Sequence, residues 1–539
     1  MKRSLLLAAT LLAATSPAAA QTLTPAEAAL KAHVAFLASD AMKGREPGTP
    51  EFDLAAQYVA AQMLGAGLEP GGPGGSWLQP VPLLAWKAKA KAEMTLTRKG
   101  VATPMTFGTD FVSSGSYLPD STVAGDLVFV GYGVTDPASG IDDYKGLDVR
   151  GKIVVALFGG PKGLPSEVAA HLGDSDTKAE TAAAHGAKGL VQIESAMLRQ
   201  VYPFAKIAQN WQQTRMAARD ADGGPHLAGN RLPGVALLSP AGAAKLFAGS
   251  PLNWEAIARA DAAGKPVPRG PIGASLSRHQ LSDVWKVESE NVVGRLPGSD
   301  PALKDQVVVL SAHLDHVGIG IPDAKGDTIY NGAMDNAAGT ASMLEVAKAF
   351  QASGKAPRRT LLFVAVTAEE TGLIGSDYFA LHPTVPAANL VANVNLDMPI
   401  LTYAFEDLVV YGADRTSIGP TVAAVGKEEG ITLTPDPAPE QASFVRSDHY
   451  SFVKAGVPAV SLEPGPKGPG KAAIEAFLDA HYHQPSDQID QDPPIQWDAG
   501  VRFVRINYKI ARAIADADAR PRWNKGDYFG TLFHGYGAQ

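Results

Sequence analysis

Apolar and polar positions change period along this chain, and the most regular stretch lies between residues 307 and 397. Three short continuous apolar runs recur there: residues 307–310 (VVVL), 361–366 (LLFVAV) and 390–396. Runs of this kind predict strands buried on both faces of a parallel or mixed α/β sheet. The first run delivers His313 and Asp315, the second Glu369 and Glu370, the third Asp397. Ligands of such sheets sit beyond the carboxyl ends of the strands. Between the first two runs, Met343, Val346, Ala347 and Phe350 fall at helical spacing behind Asp335, which reads as a helix N-cap or as a further acidic ligand.

Upstream, Thr24-Pro25-Ala26-Glu27 predicts a capping box opening a helix that buries Leu30, Val34 and Leu37. After the loop MKGREPGTP, the residues Phe52, Ala55, Ala56, Val59 and Met63 mark a second helix ending at Gly65. From about Trp77 the texture becomes Gly- and Pro-rich, with strand-like runs at 94–96, 126–134 and 152–158. A helix at 178–185 leads into a strand at 190–193, and NRLPGVALLSP reads as a returning strand. SEVAAHLGDSDTKAE and GGPHLAGN read as solvated loops. Strand-like ENVVGRLPG resumes near residue 289, and PDAKGDTIYNG is expected as a surface excursion over the site. A helix is expected at 419–429.

A chain of 539 residues exceeds the usual size of one domain. Its formal net charge is −8, without basic clusters, which argues against nucleic acid and anionic membrane surfaces as partners. Lys2-Arg3, the apolar stretch 5–14 and Ala18-Ala19-Ala20 form a secretory leader over residues 1–20, too short to span a bilayer. Export to the periplasm or the exterior is therefore expected. The chain has no cysteine, so it carries no disulfide and no Cys-ligated metal.

The residue types narrow the chemistry. His313 and Asp315, two apart on extended chain, point to one face, so the carboxylate can help orient the imidazole. The adjacent carboxylates Glu369 and Glu370 repel unless a cation or proton lies between them. One can hold metal while its neighbour serves as general base.

SAHLDHVG, GAMDNAAGT, AEETGLIGS and NLDM, followed by HYHQPSD, resemble in that order the motifs of the co-catalytic zinc aminopeptidases. That family also takes in aminopeptidase Y-like enzymes and the glutamate carboxypeptidase and transferrin receptor relatives. The resemblance runs from about residue 291 to the C-terminus and includes the opening helices. It implies an α/β fold, a mixed and mostly parallel sheet sandwiched by helices. It further implies two zinc ions held by His313, Asp335, Glu370, Asp397 and His483, with Asp335 bridging, Glu369 as general base and Asp315 orienting His313. Met334 departs from the pattern, where the family often has another aspartate. His483 is favoured over His481 because it directly precedes Gln-Pro-Ser-Asp. Ser447-Asp448-His449 is placed beside the site, with Asp448 structural or substrate-facing. Tyr482 is an oxyanion donor or a buried tyrosine bonded to backbone, and Asp487 reads as a turn residue.

DLVFVGYGV, DVRGKIVVALFGG and HGAKGLVQIE resemble a protease-associated domain. The expected organisation is a leader at 1–20, the first part of the peptidase domain at 21–115, an inserted β-rich domain at 116–270 and the catalytic domain at 271–539.

No HExxH or GxSxG occurs, and the SxxK at Ser451 lacks its companion motifs. A glutaminyl cyclase-type acyltransferase would use one zinc, and a non-enzymatic receptor-like relative would have lost ligands; the filled set of five disfavours both. The reading is an exported dizinc aminopeptidase acting on peptides. A carboxypeptidase of the same family is the alternative, and no arginine cluster for a C-terminal carboxylate stands out.

Overall fold

The computed structural model describes residues 22–539, and the expected leader lies outside the described residues. Thr24 accepts the Glu27 N–H while the Glu27 carboxylate takes the Thr24 N–H, the reciprocal cap expected for the first helix, Pro25–Leu37. It buries Leu30, Val34 and Leu37, and the second helix, Pro50–Gly65, buries Phe52, Ala55, Ala56, Val59 and Met63. Together with Gly339–Ala352 and Trp497–Asp516 these helices cover one face of the main sheet. Ile374–Leu381, His449–Lys454 and the segment from Trp523 onward cover the other.

The centre of that sheet is parallel. Val307–His313 lies between Thr360–Val366 and Leu390–Asn395, and Ala459–Pro464 continues the parallel order. Antiparallel strands flank it, Gly270–Leu296 on one side and Asp407–Tyr411 on the other. Val308, Leu310 and Ala312 face the first helical layer, whereas Val307 and Val309 face the second. Continuous apolar runs are what a doubly covered strand requires.

Gly270–Leu296 belongs to two sheets. Its second half pairs with Leu78–Ala88, and its first half pairs with Glu93–Arg98 and Asp120–Phe129. The second sheet continues in parallel through Ile153–Leu157, Gly189–Ile193 and Gly234–Leu238. Its core extends from Ala92 to Leu276. Glu93–Arg98 and Val101–Met105, before residue 116, and the first half of Gly270–Leu296 are strands of this same sheet.

Two local expectations are corrected. The strand expected at 126–134 is Asp120–Phe129. SEVAAHLGDSDTKAE is not a solvated loop: it supplies the helix Ser166–Gly173 and opens Ser175–Ala184. Asp174 caps the latter by accepting the N–H groups of Asp176 and Thr177. The short first helix buries Val168, His171 and Leu172, and His171 Nδ1 lies 2.5 Å from the Tyr450 hydroxyl of the main lobe. About two turns are too few for a helical period to show in sequence. Among the described residues no helix is long and apolar enough to cross a membrane.

Candidate metal centre

The carboxyl ends of the three central strands converge as the apolar runs imply. His313 is the last residue of its strand, and Asp397 stands two residues beyond Asn395. Ligand-type atoms of His313, Asp335 and Asp397 lie within 4.8 Å of one another, as do those of His313, Glu369 and Glu370. His313 Nε2 is 3.0 Å from Asp397 Oδ1 and 3.2 Å from Asp335 Oδ1. His483 Nε2 is 3.0 Å from Glu370 Oε2 and 3.2 Å from Asp335 Oδ2. The two oxygens of Asp335 thus face two different imidazoles.

Backbone conformation around these side chains is costly. Ala368 before Glu369, Met398 after Asp397, and His483 itself all adopt positive φ, at 55°, 39° and 53°. Non-glycine residues pay for that conformation only where the surroundings over-determine it, commonly at functional sites. The turn entering Asp335 needs glycine: Gly332 has φ of 60°, and a Cβ there would lie 2.1 Å from the Asp335 carbonyl oxygen. Asp335 is not an N-cap, since Gly339–Ala352 begins after Ala338 without a side-chain cap. Asn336 Oδ1 instead accepts the Gly339 N–H.

Buried charge dominates the site. Burial opposes it, yet His483 and His316 hold the Glu370 carboxyl down at about 2. Burial likewise works against protonation of His313 and His483, but the carboxylates around them hold both imidazoles well above their usual range. Burial, reinforced by Asp397 and Glu370, pushes Glu369 well above the usual carboxylate range. Burial also raises Asp448 to about 7 and lowers His449 to about 4.

Asp315 acts differently from expectation. Its carboxylate stays 4.0 Å from the His313 ring, while its backbone carbonyl is 3.1 Å from His313 Nδ1. The carboxylate oxygens accept the N–H groups of Glu369 and Glu370, at 3.1 and 3.3 Å. Asp315 therefore orients the imidazole through its main chain and holds the acidic pair through its side chain. Tyr482 stacks on His483, with ring centroids 4.0 Å apart, and its hydroxyl accepts from Arg446 rather than bonding to backbone. Asp448 is fully buried one position after Ser447, whose Oγ donates to Asp397 Oδ2 at 2.5 Å.

Three residues were not legible as parts of the site. His316 Nδ1 lies 2.5 Å from Glu370 Oε1. Its side chain is fully buried, whereas that of His483 is 38% exposed, so His316 backs Glu370 while His483 stands at the mouth. Asp487, read as a turn residue, accepts the N–H groups of Met334 and Asp335. Arg45, fully buried in the loop between the opening helices, donates to the carbonyls of Leu37, Leu314, Asn331 and Gly332. It ties the His313 and Asp335 loops together. The only signal for it was its place in the GREPGTP turn.

Leupeptin-inactivating enzyme 1 of Streptomyces exfoliatus is 32% identical over 176 residues, 32% of this chain and 36% of that protein. Aminopeptidase Y of Saccharomyces cerevisiae is 27% identical over 243 residues, 42% of this chain and 39% of that protein. The matched stretches thus span under half the length of these curated relatives. In structure, an aminopeptidase from Aneurinibacillus sp. strain AM-1 aligns over 92% of this chain and 95% of that one. Its TM-score is 0.51 at 20% identity, a likeness of fold through both lobes. Residues 291–511, which carry every ligand-type side chain of the centre, match the Peptidase family M28 model.

Proposed function

We propose that this protein is an exported zinc metallopeptidase that removes N-terminal residues from peptides. The observation that carries the reading is Asp335, whose two oxygens each face a separate imidazole at 3.2 Å. Carboxylates and imidazoles so crowded and so buried need cationic partners, and mixed His and carboxylate donors suit zinc. His313 and Asp397 would hold one ion, His483 and Glu370 the other, with Asp335 shared between them.

When bound, such ions polarise the scissile carbonyl and lower the pKa of a water. Everything else falls to the chain. Glu369, buried and with a raised proton affinity, is suited to take the proton of the attacking water and give it to the departing amine. Asp315 holds the backbone of the Glu369-Glu370 pair, so the main chain that carries the base cannot shift without breaking two hydrogen bonds. Ser447 and Asp487 fix the carboxylate and the main chain of Asp397 and Asp335 respectively. Tyr482, beside His483 at the mouth, is placed to donate its hydroxyl proton to a developing oxyanion.

A dipeptide panel with free and acetylated N-termini tests the reading. Cleavage confined to free N-termini is expected. Cleavage of acetylated peptides from a free C-terminus would mark a carboxypeptidase, and no cleavage of either would overturn the peptidase assignment. Export behind Ala20 belongs to the same proposal, and N-terminal sequencing of the mature protein should begin at Gln21.

A further inference from the structure

Among the cations around the centre, Arg446 stands apart. It is exposed at the mouth, and its guanidinium makes two long contacts, donating to the Tyr482 hydroxyl at 3.3 Å and the Gln441 carbonyl at 3.4 Å. Among the described residues no carboxylate pairs with it. Arginines elsewhere in the chain do find carboxylates: Arg415 pairs with Asp527 at 3.0 Å, and Arg358 with Asp300 at 2.8 Å.

Position makes the unpaired charge informative. Arg446 directly precedes Ser447, whose hydroxyl contacts Asp397 on the His313 side of the centre. Its guanidinium touches Tyr482, which stacks on His483 at the opposite side. The side chain therefore bridges the two halves of the site at its open edge. The contacts to Tyr482 and Gln441 use two of its five N–H donors, and the other three have no partner among the described residues, in a planar fork suited to a carboxylate.

We infer that Arg446 is a specificity residue that binds a carboxylate on the leaving side of the substrate, and that this group is the α-carboxylate of a dipeptide. The inference rests on the peptidase reading above. An extended residue spans about 3.5 Å, so in a dipeptide the free carboxylate lies within one residue of the scissile bond. Each added residue moves it a further such step away from a guanidinium only one side chain removed from the ligand shell. Tyr482, besides serving the oxyanion, would then limit where the guanidinium can go.

The test uses the full-length, zinc-loaded protein with Leu-Gly, Leu-Gly amide and Leu-Asp amide as substrates, in the wild type, Arg446→Met and Arg446→Lys. A charge-assisted hydrogen bond is worth about 1.5–3 kcal/mol, or roughly tenfold to a hundredfold. The wild type should favour Leu-Gly over its amide by that factor in kcat/KM. The preference should collapse toward parity in Arg446→Met and partly survive in Arg446→Lys. Equal rates on acid and amide in the wild type would overturn the inference. A preference for Leu-Asp amide equal to that for Leu-Gly would overturn the α-carboxylate assignment in favour of an acidic side chain. Calorimetric binding of an uncleavable Leu-Gly analogue, with CH2 in place of the scissile carbonyl, separates the two proposals. If no peptide is cleaved but the acid analogue still binds more tightly than its amide and loses that advantage in Arg446→Met, the peptidase reading falls and the carboxylate site stands. If acid and amide analogues bind alike, the carboxylate site falls.

Discussion

Asp487→Asn isolates how Asp335 is held. Asp487 is fully buried, with Oδ1 2.9 Å from the Met334 nitrogen and Oδ2 3.1 Å from the Asp335 nitrogen. Asparagine keeps the shape but has one acceptor oxygen. With that oxygen on Met334, the new NH2 group is turned against the Asp335 N–H, donor against donor. One charge-assisted hydrogen bond is lost, about 1.5–3 kcal/mol. Because the lost bond fixes the peptide that carries the shared carboxylate, the deficit should appear in metal binding. An affinity about tenfold to a hundredfold weaker is expected, the usual range for groups that orient metal ligands. Competition for zinc with a chromophoric chelator measures it, alongside thermal unfolding of the metal-free protein. Asp323→Asn is the control, since Asp323 also accepts turn N–H groups, from Lys325 and Asp327, but touches no ligand. If Asp487→Asn binds zinc like the wild type and loses only the stability that the control loses, Asp487 is a turn residue and the positioning argument is wrong.

Three further outcomes are expected. Glu369→Gln should keep its zinc while turnover falls by about 10²–10⁴-fold, whereas Glu370→Gln should lose zinc; elemental analysis showing the reverse would swap their roles. Lys178 is fully buried and donates to the Leu157 and Gly159 carbonyls, and burial lowers its pKa to about 7. Between that value and the 10.5 of the unfolded chain, the unfolded state binds the extra proton, so stability rises with pH, by at most about 1.4 kcal/mol per unit. Lys178→Met should flatten the rise in denaturant midpoints from pH 7 to 9, and an unchanged slope would contradict the burial argument. The second lobe is expected to roof the site and restrict peptide length. Its excision should join Ala88 to Ser282, which face each other across the strand pair, through an Asn-Gly turn. A folded variant that binds zinc but keeps the same length profile on a peptide ladder would show that the lobe serves something else.

The parts of this site that sequence made legible are those governed by local pattern. A strand covered by helices on both faces must be apolar throughout, so the runs leading to His313, Glu369 and Asp397 announced themselves, and with them the sheet end where a site could form. Contacts between a side chain and a distant backbone leave no such trace. Arg45 bonds to Leu314 and Asn331, 269 and 286 residues away, and nothing in its own neighbourhood marks it as buried. Asp487 is hard to read for the same reason: an aspartate after Pro-Ser fits a turn, and only the folded chain brings the Met334 and Asp335 N–H groups to it. His316 was overlooked because Asp315 precedes it and His483 already filled the histidine position. The second sheet's limits leave little trace in sequence, because Gly270–Leu296 is one strand serving two sheets, a division that pattern within a single strand does not record.

Metal content bears most directly on the central claim, that one carboxylate joins two cation positions. The protein is stripped by chelation, then titrated with zinc while bound metal and activity on a free dipeptide are followed together. The account requires saturation near two equivalents per chain, with activity lost on stripping and restored by zinc. In Asp335→Asn both equivalents should weaken together, since each imidazole pair shares that side chain. Saturation at one equivalent, full activity after exhaustive chelation, or loss of only one equivalent in Asp335→Asn would contradict it.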